Sequence, residues 1–273
     1  MRLQPLTESV IDLNFMPMED FINLPCLVAS NCRFAGFNEM DKALYLDEPL
    51  EKALFIYKKL TLPELARLYL KISERKTSQQ KVADQPIAFN WEFFLNHYNI
   101  KWSQDLEQLF QILPKTKLSF QNWVSQKDCG LSELQILTWA NTQYPFYQID
   151  KLLNFIAKIN PSRQIGTKIL EYTLEKLDEI DMDSFTALES AEKAYEYIYR
   201  NRFPETSQKD QDFKNILLKT PWPAHIRATA QRQGDRSGVE IKFFAGSFEE
   251  YEKRVDGLHQ IKETVKRNLW NKS

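Results

Sequence analysis

The chain has 273 residues, of which 43% are hydrophobic and 27% charged, and its formal net charge is −1. This length and composition predict a globular protein with room for two modest domains. No apolar run approaches the roughly 18 residues of a membrane span, and the first ten residues lack the apolar core of a signal peptide. The three cysteines, Cys26, Cys32 and Cys129, are too few and too scattered for a disulfide framework or a zinc site. We therefore expect a cytoplasmic protein without a membrane segment.

Residues 1–46 carry no clear periodic pattern. Pro5, Pro17 and Pro25 interrupt short apolar runs such as residues 27–29. Because proline cannot continue a regular helix, we predict an irregular N-terminal segment rather than long helices. The segment contains a single glycine, so it has no glycine-rich phosphate loop.

Residues 47–200 are predicted to form a helical domain. Pro49 suits the first position of a helix that places Leu50, Ala53, Leu54 and Tyr57 on one face. Thr61 and Glu64 have the spacing of a capping box, which predicts the start of a second helix. The polar residues 73–86 then predict a surface loop.

The stretch 91–137 is the most informative part of this domain. Residues 91–98 and 103–113 read as two short helices, because the second places four large apolar residues on one face: Leu106, Leu109, Phe110 and Leu113. Ser103 stands where an N-cap belongs, and Asn99 can adopt the left-handed conformation of a tight turn. This outline is that of a helix-turn-helix. An ordinary pair of packed core helices has the same pattern, so both interpretations remain open.

The last part of the chain changes period. Residues 200–209 are polar with one proline and form the candidate domain linker. Within 210–273, Val239, Ile241 and Phe243 alternate with polar residues, as do residues 226–231 before the turn, and this predicts a β-hairpin.

A long helix is predicted to follow the hairpin, over residues 247–269. Its large apolar residues occupy the a and d positions of a heptad: Phe248, Tyr251, Val255, Leu258, Val265 and Leu269. Such a seam fits either a dimer interface or a helix folded over its own hairpin. The predicted fold is therefore mainly α: a helical domain with a helix-turn-helix, followed by a small ββα domain.

Several of these segments, in this order, resemble the ParB family of chromosome and plasmid partition proteins. LFQILP at 109–114 is similar to the end of the family's second helix-turn-helix helix, and GLSELQIL at 130–137 to the segment that follows it. SGVEIKFF at 237–244, followed by SFEEY at 247–251, resembles the family's C-terminal hairpin and dimerisation helix. The family's N-terminal CTP-binding domain has no recognisable counterpart, so no cofactor is expected.

The resemblance implies a DNA-binding homodimer associated with segregation, with double-stranded DNA and a segregation ATPase or another protein as partners. Glutamine can read adenine, and lysine and arginine can contact phosphates. The residues expected at DNA on this basis are Lys101, Gln104, Gln108, Lys115, Lys117, Arg227, Arg232, Arg236 and Lys242. Asp105 and Glu107 oppose phosphate binding within the same stretch. The alternative function is therefore a helical scaffold or adaptor that does not bind DNA.

The distribution of charge favours the C-terminal part as the basic surface. Residues 219–273 hold 11 Lys and Arg against 7 Asp and Glu, a net charge of +4, which leaves about −5 for the rest of the chain. A positive patch attracts nucleic acid, although a solvated hairpin face with a basic helix end has the same composition.

No residue pattern predicts catalysis. His97, His225 and His259 are isolated in the sequence and have no metal-ligand or acid–base spacing. Cys129 before a glycine is typical of a small buried hydrophobic residue rather than a nucleophile. We therefore predict a protein that is not an enzyme and binds no metal.

Overall fold

A computed structural model describes residues 3–5, 11–12, 26–29, 32–35, 42–46, 48–57, 59–77, 89–233 and 236–270. The chain forms two compact units, Met1–Tyr195 and Glu196–Ser273. Most of the first unit is helical, and the second contains a two-stranded hairpin followed by a helix. The predicted fold class, mainly helical with a C-terminal ββα arrangement, is confirmed.

A five-stranded sheet occupies the described part of the N-terminal segment. Its strands are β1 (Leu3–Pro5), β2 (Ile11–Asp12), β3 (Cys26–Ala29), β4 (Cys32–Ala35) and β5 (Lys42–Leu46), in the order β1-β5-β3-β4-β2. β3 pairs parallel to β5 and antiparallel to β4. The prediction of irregular structure over residues 1–46 therefore missed these strands. Runs of two to five residues are too short for a period-two pattern to be recognised, and Pro5 is tolerated because β1 is an edge strand.

Eleven described helices continue the chain from residue 50. They are α1 (Leu50–Tyr57), α2 (Leu62–Thr77), α3 (Trp91–Asn96), α4 (Gln104–Ile112), α5 (Leu118–Gln126), α6 (Leu131–Leu134), α7 (Ile136–Gln143), α8 (Phe146–Ile159), α9 (Arg163–Leu174), α10 (Met182–Thr186) and α11 (Ala191–Arg202). Helix α2 extends to Thr77, so the surface loop predicted for 73–86 is wrong over its first residues; its remainder lies outside the described residues. Glutamate, arginine and lysine there are good helix formers, which explains the extension.

The two helices predicted in the central stretch are present, but α3 ends at Asn96 and not at the predicted Tyr98. The backbone N–H of Leu106 donates to Ser103 Oγ at 3.1 Å, so Ser103 is the N-cap of α4. Asn99 has φ 56° and separates α3 from α4, as the turn of the proposed helix-turn-helix requires. Thr61 N–H donates to Glu64 Oε2 at 2.7 Å, which is the glutamate half of the predicted capping box. Helix α4 packs against α2 and α7, and this packing forms the centre of the first unit's core.

The candidate linker at 200–209 is helical in the structure. Helix α12 spans Pro204–Lys219, and only Phe203 separates it from α11. Pro204 occupies the first helical position, where its missing N–H costs nothing, so this proline begins a helix instead of marking a loop. The boundary between the compact units falls within α11, between Tyr195 and Glu196.

The second unit continues with the predicted hairpin and final helix. Strands β6 (Ile226–Gln233) and β7 (Arg236–Phe243) pair antiparallel, with Ile226 opposite Phe243 and Ala228 opposite Ile241. Helix α13 spans Phe248–Val265 and continues into a π-helical turn over Lys266–Trp270. Helix α12 packs against β6, so α12 belongs to this unit together with the hairpin.

A close approach between α5 and α9 depends on Gly166. The Trp123 indole is buried, and its Nε1–H donates to the carbonyl oxygen of Pro161 at 3.1 Å. A Cβ added at Gly166 would lie 2.3 Å from Trp123 Cζ2. The indole is fixed by its hydrogen bond and by a close-packed core, so it cannot move aside without cost.

We predict that Gly166→Ala destabilises the first unit by roughly 1–3 kcal/mol, because the methyl group overpacks the Trp123 contact. Alanine in place of glycine normally stabilises a helix, so a decrease in the free energy of unfolding, and not an increase, would support the described contact. Urea unfolding gives the free energy, and Gln164→Ala on the exposed face of α9 is the matched control, expected to change it by less than about 0.5 kcal/mol. A Gly166→Ala protein as stable as wild type would contradict the described packing.

Candidate nucleic-acid interface

The residues predicted to contact DNA fall into two sets, one in each compact unit. The first set surrounds α4: Lys101 precedes the helix, Gln104 is exposed in its first turn, and Gln108 is half-buried one turn later. Lys115 and Lys117 follow the helix and are exposed. Because a helix of nine residues is about 14 Å long, the lysines lie at its two ends with the glutamines between them.

The carboxylates of α4 are held by the surrounding helices. Glu107 Oε1 accepts a hydrogen bond from the Tyr69 hydroxyl of α2 at 2.6 Å. Asp105 Oδ2 accepts from Gln135 Nε2 at 2.7 Å. With α2 and α7 packed against α4, the exposed residues of the helix are Gln104 in its first turn and Gln111 in its last. Two fixed negative charges beside Gln104 and Gln108 oppose the approach of a phosphate backbone.

Burial raises the pKa of the Tyr69 hydroxyl, and the hydrogen bond to Glu107 raises it further. Tyr69 therefore remains a protonated donor over the whole range in which the protein is expected to function. At the contact between α2 and α4, the neutral phenol of Tyr69 donates a hydrogen bond to the Glu107 carboxyl group. This bond fixes the position of Glu107.

The second set lies on the hairpin. Arg227 and Lys242 are directly opposite each other in the register, and both are exposed. Lys242 Nζ lies 3.0 Å from Glu240 Oε2, and the hydrogen bond from Lys242 lowers the pKa of that carboxyl group. Arg232 and Arg236 belong to β6 and β7, but their side chains lie outside the described part of the chain. The hairpin thus carries a cross-strand basic pair with one acidic neighbour.

The heptad residues of the final helix are only partly covered within the second unit: Val255, Leu258, Val265 and Leu269 are half-buried. No residue of α13, all of which is described, is buried, and Phe248 and Tyr251 are 71% and 48% exposed. Val255, Leu258 and Val265 line an open groove of about 470 Å³ together with Ile241 of the hairpin. Leu269 is half-buried in the π-helical turn. An apolar face left open in this way is typical of a surface that binds another molecule.

An aromatic cavity in the first unit was not predicted from the sequence. It encloses about 710 Å³ and is lined by Tyr69, Ser73, Trp91, Glu92, Asn96, Lys101 and Trp102. These residues come from α2, from α3 and from the loop before α4. No local sequence spacing connects them, so only the packing of α2 against the α3–α4 region reveals the site.

The described residues contain no group of three or more His, Cys, Asp or Glu side chains that could hold a metal ion. His97 is exposed, and its Nδ1 lies 2.9 Å from the carbonyl oxygen of Phe93, one helical turn earlier. Among the helices that the structure describes, none is both long and apolar enough to cross a membrane.

Comparison with known proteins found no protein-family model, no curated protein and no solved structure that matches this chain. The resemblance of residues 109–114, 130–137 and 237–251 to ParB proteins therefore stays a prediction.

Cys129 is a free, buried thiol beside Glu133 and Arg163. Burial raises its pKa to about 11, with a smaller contribution from the negative charge of Glu133, whereas Arg163 opposes the shift. The thiolate is the nucleophile, so the thiol should react slowly at neutral pH.

We predict that iodoacetamide leaves Cys129 of the native protein almost unmodified at pH 8, because only about one thiol in a thousand is ionised three pH units below the pKa. The rate should rise about tenfold per pH unit up to the pKa. Mass spectrometry of the Cys129 peptide measures this, and the same protein in urea, where the thiol is exposed, is the control. Equal alkylation rates in the native and unfolded protein would contradict the described burial.

Proposed function

We propose that the chain is a DNA-binding protein that acts as a homodimer in the cytoplasm, associated with the nucleoid during chromosome or plasmid segregation. The observation that carries the proposal is the exposed pair Arg227 and Lys242 on the hairpin. This pair lies in a unit, 196–273, that has 15 Lys and Arg against 11 Asp and Glu. The similarity of the hairpin and final helix to ParB proteins supports the same function.

The cross-strand pair suits a phosphate backbone for an electrostatic reason. Opposed residues in an antiparallel ladder have Cα atoms about 4.5–5.5 Å apart, so two like charges on one face repel each other unless an anion lies between them. Glu240 supplies part of that compensation, but water screens an exposed ion pair, so Glu240 holds Lys242 only weakly. DNA phosphates can therefore replace Glu240 as the partner of Lys242.

Affinity for DNA should be mainly non-specific. Phosphate contacts supply essentially all non-specific binding and depend strongly on salt. Gln104 is exposed and can contact a base edge, whereas Gln108 is half-buried, and Glu107 and Asp105 are fixed beside both glutamines. We therefore assign affinity to the hairpin and only a small contribution to discrimination between sequences to α4.

A second copy of the chain is the proposed occupant of the open groove along α13. Six apolar residues at about 1.5–3 kcal/mol each give on the order of 10 kcal/mol per protomer, and association costs about 4–15 kcal/mol. The gain on two protomers supports a dimer, with the four half-buried residues contributing less than full burial would give. No residue of α13 is buried within its described length, so a second copy of the chain could cover the remaining exposed part of the seam.

A scaffold or adaptor without DNA binding is the second candidate function. It is favoured by the hydrogen bonds that hold Asp105 and Glu107 on α4, because these acids make the region around Gln104 unfavourable for DNA. A segregation ATPase or another protein would then be the partner, and the α13 seam would still form the dimer.

We predict that Arg227→Gln with Lys242→Gln weakens binding to every duplex sequence alike. The slope of log affinity against log salt should fall by about 0.9 for each lost phosphate contact. Fluorescence anisotropy with a short duplex at about 50–200 mM salt measures this slope.

Two controls make this measurement specific. Lys158→Gln with Lys193→Gln removes the same charge from exposed positions of the first unit and should leave the slope unchanged. Gln104→Ala with Gln108→Ala should leave non-specific affinity unchanged and alter only discrimination between sites. Absence of binding by the wild type at about 50 mM salt would favour the adaptor.

We predict that Leu258→Asp converts a dimer into a monomer, because a buried carboxylate would lie in the centre of the paired seam. Light scattering at tens of micromolar protein gives the mass. Leu218→Asp is the matched control: Leu218 is 83% exposed on α12 and does not line the groove, so this variant should stay dimeric. A wild type that is already monomeric would refute the dimer, and a dimer dissociated only by Leu218→Asp would place the interface on α12.

A further inference from the structure

The aromatic cavity of the first unit is built by three electron-rich rings. The Tyr69 ring centroid lies 5.4 Å from that of Trp91 and 5.5 Å from that of Trp102, and the two indoles are 6.3 Å apart. The rings are tilted by 40–64° to one another, so none stacks flat on its neighbour. The buried ring of Phe110 lies behind all three, 5.6–6.4 Å from their centroids, and supports them.

The ring surfaces are accessible to a ligand. Trp102 is 40% exposed, Trp91 and Tyr69 are half-buried, and all three line a cavity of about 710 Å³. Small-molecule sites typically enclose about 300–1,000 Å³, so the volume admits a head group together with the rest of a small molecule. Indole and phenol rings present a negative face, which attracts cations, and tryptophan does so most strongly.

The charged groups around the rings are predominantly negative. Glu92 lines the cavity, and Glu107 lies directly behind the Tyr69 hydroxyl, from which it accepts a hydrogen bond at 2.6 Å. Lys101 is the single basic residue among the described residues that line the cavity, and its exposed side chain is free to extend into water. Two carboxylates against one ammonium group disfavour an anionic ligand and favour a cation.

We infer that the cavity formed by Tyr69, Trp91 and Trp102 binds an organic cation of the quaternary-ammonium class. A methylated ammonium group presents apolar methyl surfaces that carry positive charge, and aromatic cages recognise such groups through cation–π attraction. Ser73 and Asn96 can form hydrogen bonds to a hydroxyl group on the remainder of the ligand. This site does not include the hairpin pair Arg227 and Lys242, to which DNA affinity is assigned above. It shares Lys101 with the residues predicted to contact DNA around α4, and its ligand is a cation, not an anion.

Choline and its neutral carbon isostere, 3,3-dimethylbutan-1-ol, provide a matched pair of probes. They have the same shape and differ in whether the central atom of the head group is a charged nitrogen or a neutral carbon. In calorimetric titrations of the full chain, choline should bind at least about fivefold more tightly than the isostere, the difference expected from cation–π attraction. Equal binding of both compounds, or no choline binding at millimolar concentration, would overturn the inference.

Substitutions on the cavity wall identify the residues responsible. Trp102→Ala should reduce choline affinity about tenfold, and Trp102→Phe should reduce it less, because phenylalanine retains a weaker π face. Trp102 is partly exposed, and a thermal unfolding curve close to that of the wild type shows that the variant folds. A folded Trp102→Ala variant with unchanged choline affinity would overturn the assignment to this cavity.

Lys101→Gln tests the sign of the ligand's charge without disturbing the rings. Removing the positive charge of Lys101 should strengthen choline binding about two- to threefold at low salt, since water weakens the repulsion from an exposed charge. Lys117→Gln, an exposed lysine that does not line the cavity, should leave the affinity unchanged. Adenosine monophosphate serves as the anionic aromatic probe. If it binds more tightly than choline and Lys101→Gln weakens it, the cavity selects anions and the inference is wrong.

Discussion

The position of α4 between α2 and α7 is the constraint on which the first unit depends. Its apolar face is fully enclosed: Leu106, Leu109 and Phe110 have no exposed surface. The polar side of the same contact is fixed by the hydrogen bond from Tyr69 to Glu107. A displacement of α4 would expose these apolar side chains and leave the Glu107 carboxylate without its donor, and each change costs kilocalories per mole. The same helix therefore fixes the loop that carries Lys101 and Trp102, and with it both the aromatic cavity and the glutamines.

The two units divide the electrostatic character of the chain between them. The first holds an excess of acidic residues, and Glu92 lines its aromatic cavity, whereas the second is basic and carries an opposed Arg–Lys pair. The chain is nearly neutral overall because the negative charge of the first unit offsets the positive charge of the second. Long-range attraction for a polyanion should arise from the C-terminal unit only, so the net charge of the whole chain does not describe the electrostatic potential of either unit.

The features that the sequence predicted correctly are local ones. Ser103 and Asn99 act through their own backbone conformation and a partner a few residues away, so their roles are visible in a short window of sequence. The N-terminal strands depend on pairing between segments that are distant in sequence, such as β1 with β5, and no single strand is long enough to show its period. The helix over residues 204–219 was missed because a proline is compatible with either a loop or the first turn of a helix. The structure shows that Pro204 begins a helix. The cavity needed Tyr69 and Trp102 to be brought together across 33 positions of sequence, which no spacing rule anticipates.

The environment of Trp123 also gives the first unit an internal optical probe. This indole is 2% exposed and hydrogen-bonded to a backbone carbonyl, while Trp102 and Trp139 are 40% and 42% exposed. Emission from a buried indole lies at shorter wavelength than emission from a solvated one, and an aqueous quencher such as iodide reaches only the solvated rings. The steady-state spectrum therefore contains a component that follows the integrity of the core and another that follows the surface. Iodide quenching separates the buried emission from the solvated emission. A ligand near Trp102 should change the quenchable emission, whereas a loss of packing around Trp123 should change the emission that iodide does not quench.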